Sequence, residues 1–500
     1  MTPSAGAMSP SVIALSILGG TLLLAFWLSL RSASTSMSLE QWSVGGRGFG
    51  TLLVFLLLAG EIYTTFTFLG ASGWAYGRGA PAFYIIAYGG IAYIMSYWLL
   101  PAIWKRATSW NVVSQAEYFA RAYESVWLGR VVAVVSTAAL MPYLVLQLKG
   151  LGIIVSEASY GAIGANAAIW IGTLSTIVYV TLSGVKGSAA TAALKDVMVL
   201  VAVVALGIAL PSMLHGGIGP MFARIDAEYP GFLVLPAKGM SPSWFASTVV
   251  LTVGGFYMWP HTFASIFTAK SDHVFRRNAA LMPLYQLVLL FVFFIGFAAL
   301  LSVPGLTGSN VDLALLRLSR QTFGPWIVGF IGAAGLLTAL VPGSLILMST
   351  ATTLARMFRP ASATDAGASV GLARIFVPVV AAVALVFTFR GGDTLVTLLL
   401  MAYAMVTQLF PALLASLMRV RRVSAAGAMA GIIVGELTVA VITLGGFTLP
   451  ALFPTWPSAM TDLNIGIVAL LLNLFALTMV SALMPRRKIT AEFAAPSRMP

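Results

Sequence analysis

Thirteen apolar runs, each about long enough to cross a bilayer, dominate this sequence. A crossing helix needs roughly 20 residues. The runs lie near 11–30, 50–74, 81–103, 126–157, 165–184, 187–214, 244–269, 279–303, 323–355, 373–389, 394–418, 424–448 and 463–485. Backbone groups in hydrocarbon have no water to pair with, so runs of this kind are helical. Of the 500 residues, 59% are hydrophobic and only 9% charged, against roughly 25% charged in soluble domains. The expected fold class is an all-α polytopic membrane protein. The chain has no cysteine, which excludes disulfides and thiolate metal sites. Its three histidines are too far apart to share a helix turn, so a structural zinc site is not expected.

The net charge of +13 would suit nucleic acid, but its distribution points to topology instead. With the N-terminus outside, alternate loops on the cytoplasmic side hold 21 of the 28 Lys and Arg, among them Lys105, Arg106, Arg276, Arg277, Arg356, Arg359, Arg419, Arg421, Arg422, Arg486, Arg487 and Lys488. The outer segments hold Arg78, Arg224, Lys238, Arg317, Arg320 and Arg390, and Lys149 falls inside a span. This is the positive-inside bias. It places the C-terminus in the cytoplasm, with lipid as the surroundings and no nucleic acid as partner.

The first run lacks a basic leader, and Arg31 follows it, so a retained helix rather than a signal peptide is expected. The largest connecting loop, about 215–243, is too short for a folded domain. No GxxxxGK[ST] sequence is present, which argues against a nucleotide-driven pump. No nucleophile–base spacing or ligand cluster suggests an enzyme, and no obligate protein partner is evident.

Two runs are interrupted. The second carries Gly60 followed at once by Glu61, and the seventh carries Gly254, Gly255 and Pro260. Aligned without gaps, "AGEIYTTFTF" (59–68) and "GGFYMWPHTF" (254–263) share a glycine at the second position and a closing Thr-Phe. The two spans run in opposite directions, so five-helix units starting at them would be inverted repeats. Broken helices at matching repeat positions point to a transporter's binding site.

The stretches "GEIYTTFTFLGASGWAY" (60–76), "MPYLVLQLKG" (141–150), "GVKGSAATAALKD" (184–196), "YMWPHTFASIF" (257–267) and "ALVPGSLILMSTATTLARMF" (339–358) resemble the sodium:solute symporter family. Within it, the chain looks most like the bacterial monocarboxylate permeases. The resemblance implies the leucine-transporter-type fold of inverted five-helix repeats, with one helix before and two after. The divisions would be 1–48 for the extra helix and inner loop, 49–214 and 244–418 for the repeats, 215–243 for an outer loop, and 419–500 for the last two helices and tail. It also implies a sodium site between carbonyls near Gly60 and Tyr63 and a hydroxyl pair on the eighth core helix. Anchored on "TLARMF", that pair falls on Leu340 and Val341, which have no hydroxyl. Thr338 and Ser344 are the nearby substitutes. A hard cation needs oxygen ligands, so the coupling ion is either a proton or sodium at a modified site. No organic cofactor is expected.

An ionisable group within a span suggests a pathway, a partner or a proton relay. Glu61 is the candidate proton carrier, and Lys149 is its candidate partner or a binder of a substrate carboxylate, although a lysine there can also snorkel outward. His261 follows Pro260, whose missing N–H bends the helix, and an imidazole at the bend suits a carboxylate. Tyr63, Thr64, Thr67, Tyr143, Gln147, Trp259 and Thr262 supply further polar and aromatic groups. Asp196, beside Lys195, takes the family's acidic position at the start of the fifth core helix, on an inner exit path or as an interfacial charge pair. The expectation is an importer of a small monocarboxylate such as lactate, pyruvate or acetate. The alternative is a sodium-coupled symporter of an amino acid, sugar or nucleobase-like solute.

Overall fold

The computed structural model describes residues 8–31, 39–61, 63–358, 366–418 and 422–484. Arg359, Arg419, Arg421, Arg486, Arg487 and Lys488 lie outside the described residues. Among those described there is no strand, and eleven helices are long and apolar enough to cross a membrane. Two interrupted segments add two more crossings, which gives the thirteen expected.

Counting crossings in chain order, α1 is Pro10–Arg31. The broken α2 comprises α2a, Thr51–Gly60, and α2b, Ala71–Arg78. There follow α3, Tyr84–Ser109, α4, Val126–Ala158, α5, Ala165–Leu182, and α6, Gly184–His215. The broken α7 comprises α7a, Pro242–Gly255, and α7b, Pro260–Phe267. The remainder are α8, His273–Ser302, α9, Pro325–Phe358, α10, Ala366–Arg390, α11, Leu395–Leu417, α12, Ala425–Leu444, and α13, Ile465–Leu483. The repeats are α2–α6 and α7–α11.

The turn between α5 and α6 depends on Gly184, at φ 61° and ψ −160°. A side chain there would be strained by the backbone angle, and its Cβ would sit 2.8 Å from the Trp42 carbonyl oxygen. α9 is almost wholly buried, packed against α1, α4, the α5–α6 pair and α10. At the basic-loop end, the two broken helices are clamped by their backbones. The Phe49 amide donates to the Thr268 carbonyl at 2.9 Å, and the Lys270 amide donates to the Phe49 carbonyl at 3.0 Å. The start of α2 therefore lies against the end of α7, as antiparallel crossing requires.

One placement differs from the reading of Lys195 and Asp196 as an interfacial charge pair: Lys195 is fully buried. α6 begins at Gly184, so Lys195 lies three turns inside it, roughly 16 Å along the axis.

Candidate transport site at two broken helices

The first break begins where α2a ends at Gly60. The Glu61 amide still reaches the Leu57 carbonyl at 3.2 Å and the Tyr63 amide reaches that of Ala59 at 3.3 Å. Beyond this point the carbonyls of Gly60 and Tyr63 leave the helical pattern. Two threonines take up freed backbone groups, the usual remedy for irregular backbone inside a membrane protein. The Thr64 amide donates to Thr67 Oγ1, Thr67 Oγ1 to the Thr64 carbonyl, and the Phe66 amide to Thr64 Oγ1, each at 3.1 Å. The chain then resumes as a π-helical stretch, Phe66–Gly70.

Lys195 fills the carbonyl side of this break. Its Nζ donates to the Gly60 carbonyl at 2.7 Å and to the Tyr63 carbonyl at 3.1 Å. Asp196 Oδ1 lies 3.1 Å from the same nitrogen, as an ion pair. A Cβ at position 60 would stand 3.1 Å from that Nζ. The glycine before Glu61 thus leaves room for an ammonium group.

Glu61 turns the other way, across to α7b. Thr262 Oγ1 donates to its Oε2 and Ser265 Oγ to its Oε1, both at 2.7 Å. Thr262 and Ser265 are three residues apart and share a helix face, so the carboxylate ties the two broken helices together side chain to side chain.

The second break ends α7a at Gly255. Met258 closes a turn onto the Gly255 carbonyl at 2.9 Å, Trp259 is extended, and Pro260 opens α7b. Proline suits that first position because its fixed φ is helical and no amide is wasted. Trp259 packs its ring 5.1 Å from both Tyr143 and Tyr403, and His261 lies 5.6 Å from Tyr143. His261 is buried, and its Nδ1 has no hydrogen-bond partner among the described residues.

α4 supplies the opposite wall. Tyr143 donates to the Glu61 backbone carbonyl at 3.4 Å. One turn on, the Gln147 carbonyl oxygen accepts from Thr65 Oγ1 at 2.7 Å, while its Nε2 is buried without a partner among the described residues. Glu61, Thr64, Tyr143, Gln147, Trp259, His261 and Thr262 therefore meet around the two breaks.

Other candidates lie elsewhere. Lys149 does not reach Glu61; its Nζ donates to the Asp393 carbonyl at 2.7 Å, before α11. The Tyr63 side chain points into α8, donating to the Tyr285 carbonyl at 3.1 Å, and only its backbone carbonyl serves the break. Thr67 bonds within the break. Thr338 and Ser344 donate to carbonyls of their own helix, Gly335 and Val341, each at 2.6 Å. Asp196 is buried beside Lys195 rather than at an interface.

Sequence reasoning passed over Lys195, Thr65 and Ser265. Lys195 had a signal: a second cation besides Lys149 falls within an apolar run, 187–214. Among the described residues no group of three or more His, Asp or Glu is placed to hold a metal ion. The carbonyls that a sodium ion would use are already occupied by the ammonium of Lys195, so this pair does not fit a sodium site.

An all-helical bundle in which two antiparallel crossings break at matching points has the leucine-transporter-type fold. The profile of the sodium:solute symporter family matches residues 42–435, and the chain belongs to that family. An uncharacterized symporter of Bacillus subtilis, YhjB, is 57% identical over 482 residues, covering 96% of this chain and 98% of its own. A monocarboxylate transport permease protein of Rhizobium johnstonii is 28% identical, with 91% of this chain and 93% of its own covered. Among solved structures, a Na+-coupled sialic acid symporter superposes with a TM-score of 0.76 at 16% identity, over 95% of this chain and 99% of that one.

Proposed function

We propose that the protein is a symporter importing a small monocarboxylate such as lactate, pyruvate or acetate by alternating access, with a proton on Glu61 as the coupling ion. The observation that carries the substrate class is the restart of α7 at Pro260. First-turn amides of a helix have no acceptor within it, and the helix N-terminus favours an anion. In this first turn His261 carries an unspent Nδ1, and on α4, across the first break, Gln147 carries an unspent Nε2. The rings of Tyr143, Trp259 and Tyr403 suit a short carbon chain beside the carboxylate. The similarity to the Rhizobium permease supports the same class.

The proton assignment rests on the partners of Glu61. With the carboxylate ionised, the hydroxyls of Thr262 and Ser265 both donate to it. With it protonated, one hydroxyl turns to accept the carboxyl proton while the other still donates, because a hydroxyl can do either. The tie between α2 and α7 thus tolerates both states. The N-terminus lies outside and the C-terminal tail in the cytoplasm of a bacterial plasma membrane.

The test is uptake of labelled pyruvate into proteoliposomes with proton and sodium gradients imposed separately. Uptake driven by an inward proton gradient and unchanged by sodium is the expected result. Uptake that requires sodium would overturn the coupling, and no uptake under either gradient would overturn the substrate class.

A further inference from the structure

We infer that Lys195 is the resident cation of the first helix break, built into the chain where a carrier of this architecture would otherwise bind a metal cation. Its consequence for transport rests on the carrier reading above, but its test does not. An unwound stretch with exposed carbonyls at the end of a half-helix is chemically a cation site, and the C-terminal end of α2a adds the negative end of its dipole.

Here the cation is supplied from α6. The Lys195 ammonium has three N–H donors and no acceptor. Two donors go to the carbonyls of Gly60 and Tyr63, at 2.7 and 3.1 Å, and Asp196 Oδ1 lies 3.1 Å away. Three further observations agree. Gly60 provides the space, since a Cβ there would press on Nζ at 3.1 Å. Lys195 is fully buried, and a buried ammonium persists only when paired and hydrogen-bonded. The hydroxyls nearest in sequence to the implied sodium ligands, Thr338 and Ser344, are turned onto their own helix, donating to the Gly335 and Val341 carbonyls, and Ser344 also meets Ser188 at 2.9 Å.

The ammonium differs from a bound metal ion in being tethered. It cannot leave toward the cytoplasm at the end of a transport cycle, so the Lys195 amine stays part of the break. A sodium ion added from solution has no vacant pair of carbonyls to bind. Removing the lysine side chain should open that pair, together with the Asp196 carboxylate, to a cation of similar size.

The experiment is sodium binding to purified wild-type protein and to Lys195→Ala and Lys195→Ser, without any solute. It is read by radioactive sodium binding and by thermal unfolding in NaCl against choline chloride at equal ionic strength. The variants should bind one sodium ion more per chain than wild type. Their unfolding midpoints should fall in choline and recover saturably in NaCl, while that of wild type is the same in both salts. Equal sodium stoichiometry in wild type and variants, or a sodium stabilisation of wild type that the variants lose, would overturn the inference. Should neither variant fold, wild type decides: no saturable sodium binding supports the assignment, and one sodium per chain overturns it. A failure of pyruvate uptake would leave these outcomes untouched, so the two readings fail separately.

Discussion

Glu61 and Lys195 serve the same helix break with opposite charges, yet each has partners other than its counterpart. The ammonium holds backbone carbonyls of Gly60 and Tyr63, whereas the carboxylate holds hydroxyls of Thr262 and Ser265. One tie joins α2 to α6 within the first repeat. The other joins α2 to α7b, across the repeats. Alternating access moves one set of helices against another, and the two ties put the carboxylate and the ammonium on different helix pairs.

Glu61→Gln should therefore separate coupling from binding. The amide keeps an acceptor for one hydroxyl but cannot lose or gain a proton in the working range. Uptake driven by a proton gradient should fall to the level seen without one, while exchange of labelled for unlabelled pyruvate continues. Thr262→Ala and Ser265→Ala each remove one hydrogen bond to the carboxylate, worth about 1.5–3 kcal/mol. They should alter exchange rates without abolishing proton dependence. A Glu61→Gln variant with full gradient-driven uptake would remove Glu61 from the coupling role.

Gly60→Ala tests the space reserved for the ammonium. The new Cβ would come within 3.1 Å of Lys195 Nζ, tighter than ordinary packing. Overpacking of this kind costs about 1–3 kcal/mol. Lys195 Nζ would have to give by a few tenths of an ångström, lengthening its bonds to the two carbonyls. Thermal unfolding of the purified variant should show a lowered midpoint, and Gly19→Ala, where the added carbon meets nothing within 4 Å, serves as its control. Equal midpoints would mean that Lys195 yields without cost.

The fold was legible in the sequence because a membrane leaves the backbone few choices. The interruptions at Gly60 and at Gly255–Pro260 could be read from residues that end or bend helices, and α2a and α7a stop at those glycines. The partners across the breaks were not legible. Lys195 looks like a boundary charge until the kink at Gly184 fixes where α6 begins. Lys149 looks central by position in its span, yet a flexible four-carbon stem lets its ammonium reach the turn before α11. Ser265 becomes a partner of Glu61 only because α2 and α7b are packed side by side. Helix content follows from local composition, whereas the destination of a long side chain follows from tertiary packing.

Asp272 gives a pH prediction outside the spans. At the head of α8 it pairs with Lys105 at 2.9 Å, and that contact holds its carboxyl below the usual carboxylate range. A lowered folded-state value means the pair contributes its stability above the unfolded carboxylate value, near 3.9. That contribution is lost as pH falls through the folded value. Lys105 is largely exposed, so the contribution is under about 1 kcal/mol. Asp272→Asn should lower the unfolding midpoint slightly at pH 8, with the difference from wild type vanishing in strong acid. Any pH dependence of uptake between 5 and 8 should survive this substitution unchanged. A variant that flattened the uptake profile would place the loop in the proton path.

Lys149 remains to be given a role, and its surroundings suggest a latch at the face opposite the basic loops. The turn before α11 is held from three directions. Lys149 of α4 donates to the Asp393 carbonyl at 2.7 Å, Trp74 of α2b donates to Thr394 Oγ1 at 3.4 Å, and the Leu395 amide donates to Asp312 Oδ2 at 2.9 Å. Tyr403 lies on α11 and packs against Trp259, so a shift of α11 would change access to that pair. Lys149→Met removes one of the three ties at little cost to stability, because an exposed bond of this kind is worth about 1 kcal/mol or less. The natural chain has no cysteine, so a single Tyr403→Cys substitution reports access without further engineering. Labelling of that thiol by an impermeant maleimide should be severalfold faster when Lys149→Met is present, with an unfolding midpoint close to that of the single variant. Equal labelling rates would show that Lys149 anchors the turn without gating the site.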